Sequence, residues 1–160
     1  MPKNFRNKRA FSYVQICVLV LVLCFMLTVF LAVVYAVNSV RLMEKNAHTV
    51  LESYVMANAV EIYNSIKQGS DETSTLDSSK YIGELKDFCA LHDQRPYLYH
   101  YGEDNRYDYY ISQPTVSFSE IGKLRIQVSF TVYVPMYFAG VKVATAAVPV
   151  TVRTNLEGKF

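Results

Sequence analysis

From Phe11 to Val40 the chain reads FSYVQICVLVLVLCFMLTVFLAVVYAVNSV and carries no Asp, Glu, Lys or Arg. Its middle, Ile16 to Val37, is almost wholly apolar. A helix needs about 20 such residues, rising about 1.5 Å each, to cross a hydrocarbon layer of ~30 Å. The run exceeds that length by several turns, so residues 11–40 are expected to form a transmembrane helix. The rest of the chain is then sorted by the side of that helix on which it lies.

Charge supplies the sorting. Lys3, Arg6, Lys8 and Arg9 precede the run with no acid among them, giving +4 against a chain total of +2, so the remainder is net −2. Short basic flanks stay in the cytoplasm. Residues 1–10 are therefore expected to be a cytoplasmic leader, and residues 41–160 an extracytoplasmic domain on a single-pass anchor in the cytoplasmic membrane. Roughly 120 residues beyond the anchor suffice for one small domain with its own core. A mildly acidic outer part gives no support to nucleic-acid binding. Val34-Tyr35-Ala36 would pass as a signal-peptide cleavage site, but a signal h-region is about 7–15 residues and this run is much longer.

Helical periodicity continues past the apolar run. Met43, Ala47, Val50, Leu51, Tyr54, Ala59, Ile62, Tyr63 and Ile66 recur at spacings of three and four. No Pro or Gly interrupts before Gly69, which suits a C-terminal cap. One helix from about Phe11 to Gln68 is expected, apolar all round in its first half and amphipathic in its second; two helices broken near Asn38-Ser39 are the alternative. Gly69 to Ser79 reads as an exposed loop. Ser78 or Ser79 then caps a shorter helix, Lys80 to His92, with Tyr81, Ile82, Leu85, Phe88 and Cys89 turned inward.

Arg95-Pro96 breaks that helix. Alternating tyrosines on either side of a polar turn, Gly102 to Arg106, predict a hairpin. Leu124 to Val134 alternates strictly between apolar and polar residues and predicts a half-buried strand, with Pro135 ending it or marking an edge. Ala139-Gly140 offers a turn into a second strand, Val141 to Arg153. A long helix, a short helix and three to five antiparallel strands make an α+β fold.

Candidate chemistry is sparse. Cys17 and Cys24 lie on one face of the membrane helix, where with Thr28 and Ala32 they form a line of small residues suited to helix packing. Cys89 is alone outside, so no disulfide within the domain is available; a buried thiol or an intermolecular bridge remain. Cys89 and His92 are three apart on the expected helix, a metal-ligand spacing, but no second Cys or His pair completes a tetrahedral set. His48 falls among surface positions. Glu103, Asp104 and Asp108 crowd a turn without the spacing of a calcium loop. Neither a metal, a cofactor nor an enzymatic activity is expected. The tyrosines are more suggestive: Tyr97, Tyr99, Tyr101, Tyr107, Tyr109 and Tyr110 are candidate interface residues, since tyrosine offers contact area at little entropic cost. The alternative is a half-buried hairpin whose rings shield the sheet.

The junction Lys8-Arg9-Ala10-Phe11-Ser12-Tyr13-Val14-Gln15 resembles the processing site of type IV prepilins. Those carry basic residues, a glycine, an apolar first mature residue and a glutamate at the fifth position. Phe11 is position one and Gln15 position five; Ala10 replaces the usual glycine and Gln15 the usual glutamate. Gln15 forms hydrogen bonds but cannot neutralise a freed amine. With the long half-membrane helix and the valine-rich final strands, the arrangement resembles TadE-like minor pseudopilins of tight-adherence (Tad) pili. The resemblance implies storage in membrane lipid, cleavage after Ala10 by a prepilin peptidase, and packing against other pilin-like subunits and an assembly platform. A membrane-anchored adaptor of a secretion or conjugation complex, never processed, is the alternative.

Overall fold

The computed structural model describes residues 6–60, 64, 77–102, 106–119, 124–138 and 140–156. The architecture is α+β, as expected: a long N-terminal helix, a short second helix and one antiparallel sheet. Ile62, Tyr63, Ile66, Gly69, most of the expected loop after it, and Glu103 and Asp104 lie outside the described residues.

Helix α1 spans Arg6–Ala57 without a break at Asn38-Ser39. No proline or glycine interrupts it, and Ser39 donates its hydroxyl back to the Tyr35 carbonyl at 3.0 Å, inside the turn. From Tyr13 to Tyr35 its side chains are almost all exposed. Beyond that, Ala36, Met43, Ala47, Val50, Leu51, Tyr54 and Val55 are buried, at the spacing of one helical face.

Helix α2 spans Ser78–Phe88, shorter than the expected Lys80 to His92. The cap is Asp77, not Ser78 or Ser79: its Oδ1 accepts from the Ser79 amide at 2.8 Å. The helix stops because Ala90 takes a left-handed conformation (φ 48°) that turns the chain into a strand. Tyr81, Leu85 and Cys89 face inward as expected, whereas Phe88 is exposed. Two tyrosines tie the helices together. Tyr81 donates to the Ala47 carbonyl (3.2 Å) and Tyr54 to the Asp77 carbonyl (3.0 Å), with their rings edge to face at 5.9 Å.

The described residues form six strands: β1 (Leu91–Gln94), β2 (Tyr97–Tyr101), β3 (Tyr107–Ser112), β4 (Thr115–Ser119), β5 (Leu124–Phe138) and β6 (Val141–Leu156). β1 pairs β2, β2 pairs β3, and β5 takes β3 and β4 along one edge and β6 along the other, all antiparallel. β3 and β4 are one line of pairing interrupted at Gln113-Pro114, where one extra residue shifts the register. The shift exchanges odd for even positions, so Ile111 before it and Val116 after it both reach the core side. At the interruption the Ser112 hydroxyl stands in for a ladder carbonyl, accepting from the Thr131 amide at 2.9 Å.

β5 runs through Pro135, past the expected end at Val134. Because the Thr131 amide points to the β3 side, alternation places the proline nitrogen on that side too, and β3 pairs β5 only as far as Tyr133. The missing N–H therefore falls on an open edge. The inner face of the sheet, including Leu98, Ile111, Ile126, Val128, Val132 and Val134, closes over α1 and α2.

Candidate functional site

The alternation of β2 and β3 divides the tyrosines. Tyr97, Tyr99 and Tyr101 share the outer face with Tyr110, and Tyr133 of β5 joins them through its pairing with Tyr110. A register irregularity between His100 and Tyr101 pairs Tyr101 with Tyr107 and brings Tyr107 to the same group. The rings interlock. Tyr110 stacks on Tyr133 (4.9 Å, 8°) and on Tyr99 (5.1 Å, 24°), while Tyr97 meets Tyr110 and Tyr133 edge on at 5.2 and 5.5 Å. Tyr99 and Tyr107 meet at 5.6 Å. All six are half-buried. Offset stacks and edge contacts of this kind add about 0.5–1.5 kcal/mol per pair to the area they cover.

Of the six candidate tyrosines, Tyr109 stands apart. It points to the other face of the sheet, 5% exposed, stacked flat on His100 at 4.8 Å. Burial raises its hydroxyl well above the ordinary tyrosine value, with Cys89 and Asp108 adding to the effect. Tyr133 is the member that the sequence reading missed. It sits in the strictly alternating strand, and its polar-position parity with Ser129 and Thr131 was the available signal.

The line of small residues on α1 is also resolved. Cys17 and Cys24 are exposed and free. Thr28 donates to the Cys24 carbonyl at 2.8 Å, so its hydroxyl is satisfied within its own helix. Thr28, which is exposed, and Ala32, which is half-buried, border with Phe25 and Val29 an open apolar groove of about 200 Å³ against the end of the β5–β6 hairpin. At the junction, Ala10 and Phe11 lie within the helix backbone of α1, and Gln15 is exposed.

Cys89 and His92 do not share a helical turn. Cys89 is buried just after α2, and burial pushes its thiol up to about 11, an effect that an Asn46 hydrogen bond partly opposes. A thiol so held is a poor nucleophile at neutral pH. His92 is exposed on β1, its ring against Tyr101 at 5.5 Å. Among the described residues no three His, Cys, Asp or Glu are grouped as metal ligands. His48 is on the surface, 3.4 Å from Glu52. Asp108 lies 3.6 Å from the buried Nδ1 of His100, too long for a hydrogen bond.

Neither a protein-family model, a curated protein nor a solved structure matches the chain. The chain's own geometry offers a largely uncovered apolar rod, a packed head, and an aromatic face on that head.

Proposed function

We propose that this protein is a membrane-anchored structural subunit of the minor-pseudopilin kind, serving a Tad or type IV-like pilus or secretion apparatus. The observation that carries the reading is the unbroken helix Arg6–Ala57: from Tyr13 to Tyr35 its side chains are almost all exposed, while its second half is the central support of an α+β head. A single rigid element that is lipid-soluble at one end and packed at the other can anchor a subunit and later serve as a shaft in a helix bundle. The prepilin-like junction at Ala10-Phe11 sits where the apolar run begins, and the small side chains Cys17 and Cys24 leave room on one side for a neighbouring helix.

In this reading the leader stays in the cytoplasm, the head is outside the cytoplasmic membrane, and partners are other pilin-like subunits and an assembly platform. The tyrosine face is the head's contact surface. The chain performs no chemistry itself; a prepilin peptidase would act on it.

A second reading, an unprocessed single-pass adaptor in a secretion or conjugation complex, is favoured by Ala10 and Gln15, which depart from the glycine and glutamate of prepilins. Mass spectrometry of the mature N-terminus separates the two. A free or methylated Phe11 supports the pilin reading; an N-terminus intact at Met1 or Pro2 sinks it in favour of the adaptor.

A further inference from the structure

The β5–β6 hairpin extends beyond the head and along the bare half of α1. Phe138, the last residue of β5, meets Phe25 of α1 edge on, ring centroids 5.7 Å apart. The groove around that contact is bordered by Thr28, Val29 and Ala32 of the helix and by Met136, Val143 and Ala144 of the hairpin. A second apolar groove, about 340 Å³, continues along the helix past Val33 and Val37 beside Ala146 and Val148.

The depth of this contact follows from the sequence. Nothing between Arg9 and Arg41 is charged. A hydrocarbon layer takes about 20 helical residues. A window of that length can slide from a start at Phe11 to an end at Val40, and residues 21–30 stay inside it throughout. Phe25 is among them. The side chain touching it is therefore at hydrocarbon depth wherever the bilayer settles along the helix.

The hairpin is composed for that position. Between Arg125 and Arg153 the single charged residue is Lys142. Phe138, Val141 and Val143 remain 45%, 67% and 67% exposed, so their apolar surface is not used within the fold. Lys142 directs its ammonium over the Tyr107 ring, 5.8 Å from the centroid, as a cation does when its stem is in an apolar medium and its head is drawn out of it. Nearby, Tyr35, Tyr107 and Tyr137 line a hollow of about 280 Å³ with Arg106 and Asp108, a mixture of aromatic and charged groups typical of headgroup level.

We propose that the tip of the β5–β6 hairpin is a second membrane-embedded element, resting on the reading of α1 as a span. Phe138, Val141 and Val143 enter the leaflet on the head's side, and lipid acyl chains fill the groove beside Phe25 and Thr28. Lipid is the occupant because the groove opens onto the span's own exposed surface at the same depth. The insertion is shallow. β6 pairs only β5 among the described residues, and unpaired edge amides are costly in hydrocarbon. That favours the lowest window, ending near Phe30, with Phe25 about 8 Å below the boundary, a depth that interfacial helices reach.

The chain has no tryptophan, so one introduced indole is a specific reporter. Full-length Phe138→Trp, Val141→Trp, Leu21→Trp and Tyr99→Trp variants are reconstituted into phosphatidylcholine–phosphatidylglycerol vesicles. The lipids are brominated either near the headgroup end or near the end of the acyl chain. Phe138→Trp and Val141→Trp are expected to be quenched at least two-fold, more by the shallow bromines than by the deep ones. Leu21→Trp is quenched and Tyr99→Trp is not. Water-like, unquenched emission from both tip reporters, with Leu21→Trp quenched, overturns the hairpin proposal and leaves the span standing. Blue-shifted but unquenched emission from the tip means that protein, such as a second copy, covers it, and overturns the lipid assignment. An unquenched Leu21→Trp overturns the span itself. Val141→Trp has no ring partner in α1, so disturbance of the Phe25 contact does not decide the result.

Discussion

The two halves of α1 both present apolar side chains, and they treat them in opposite ways. Leu19, Leu21 and Phe30 in the first half are about three-fifths exposed or more, at 62%, 69% and 63%; Met43, Ala47 and Leu51 in the second are at 0%. One unbroken backbone joins the two. The difference is which neighbours the chain supplies. The second half has an apolar stripe, and the head is built to cover it with β5, β6 and α2. The first half is apolar on every side, and no small head could enclose it. Covered apolar surface stabilises a fold; uncovered surface of this extent specifies a medium.

The contrast can be broken most severely in the bare half. Arginine at the centre of a span costs about 3 kcal/mol in insertion, so Leu19→Arg with Leu23→Arg should cost on the order of 6 kcal/mol. The expected outcome is loss of the protein from the carbonate-resistant membrane fraction. Full retention there would mean that the first half of α1 is not immersed.

The next largest effect belongs to the packed half. Leu51→Ala removes a fully buried side chain and leaves a cavity, which typically destabilises by about 3 kcal/mol. Leu21→Ala, the same change on the bare half, should leave head unfolding in detergent within about 0.5 kcal/mol of the parent. Equal effects from the two substitutions would erase the distinction between the halves.

Alkaline pH probes the covered surface without changing its shape. Burial pushes the Cys89 thiol up to about 11 and raises the Tyr81 hydroxyl well above its ordinary value. The folded head therefore holds these protons more tightly than the unfolded chain, whose cysteine titrates near 8.5 and tyrosine near 10. Stability is complete below about pH 8.5 and declines as pH rises toward 11, by on the order of 2 kcal/mol for the thiol. In Cys89→Ala the onset of the decline should move up to about pH 10, where the tyrosines begin to titrate. Chemical denaturation across pH 7 to 11 measures this, and an unchanged onset would mean that the thiol is not buried.

Much of this division was legible in the residues. The apolar run, the stripe from Met43 to Tyr54 and the alternation of β5 each follow from a repeated spacing, and repetition makes a pattern robust to any single residue. The misreadings fall where one residue decides. Leu91 and His92 read as the end of a helix because the stripe of Tyr81, Ile82, Leu85, Phe88 and Cys89 runs up to them; a left-handed Ala90, which its identity does not announce, turns them into a strand. Pro135 reads equally as a terminator or as an edge marker, and β3 falling short of it decides for the edge. Alternation alone says that some of the six tyrosines face inward without saying which, and the pairing of Tyr109 with His100 is what assigns it to the inner face. The contact of Phe138 with Phe25 spans more than a hundred residues and leaves no local trace.

The smallest expected effect tests the sheet, where the contrast between covered and uncovered surface recurs across its thickness. The inner face is closed by helices. Among the described residues the outer face is closed by its own rings, which cover each other by stacking. If that mutual cover is real, Tyr110 and Tyr133 should be coupled: Tyr110→Ala and Tyr133→Ala together should destabilise less than the sum of the single changes, by about 1 kcal/mol. Tyr110→Phe keeps the ring and loses only a half-exposed hydroxyl, so it should alter stability by less than about 0.5 kcal/mol. Urea unfolding of the four members of the cycle supplies the coupling. Strict additivity would make each ring an independent exposed side chain, and their mutual cover would then contribute nothing to the stability of the free head.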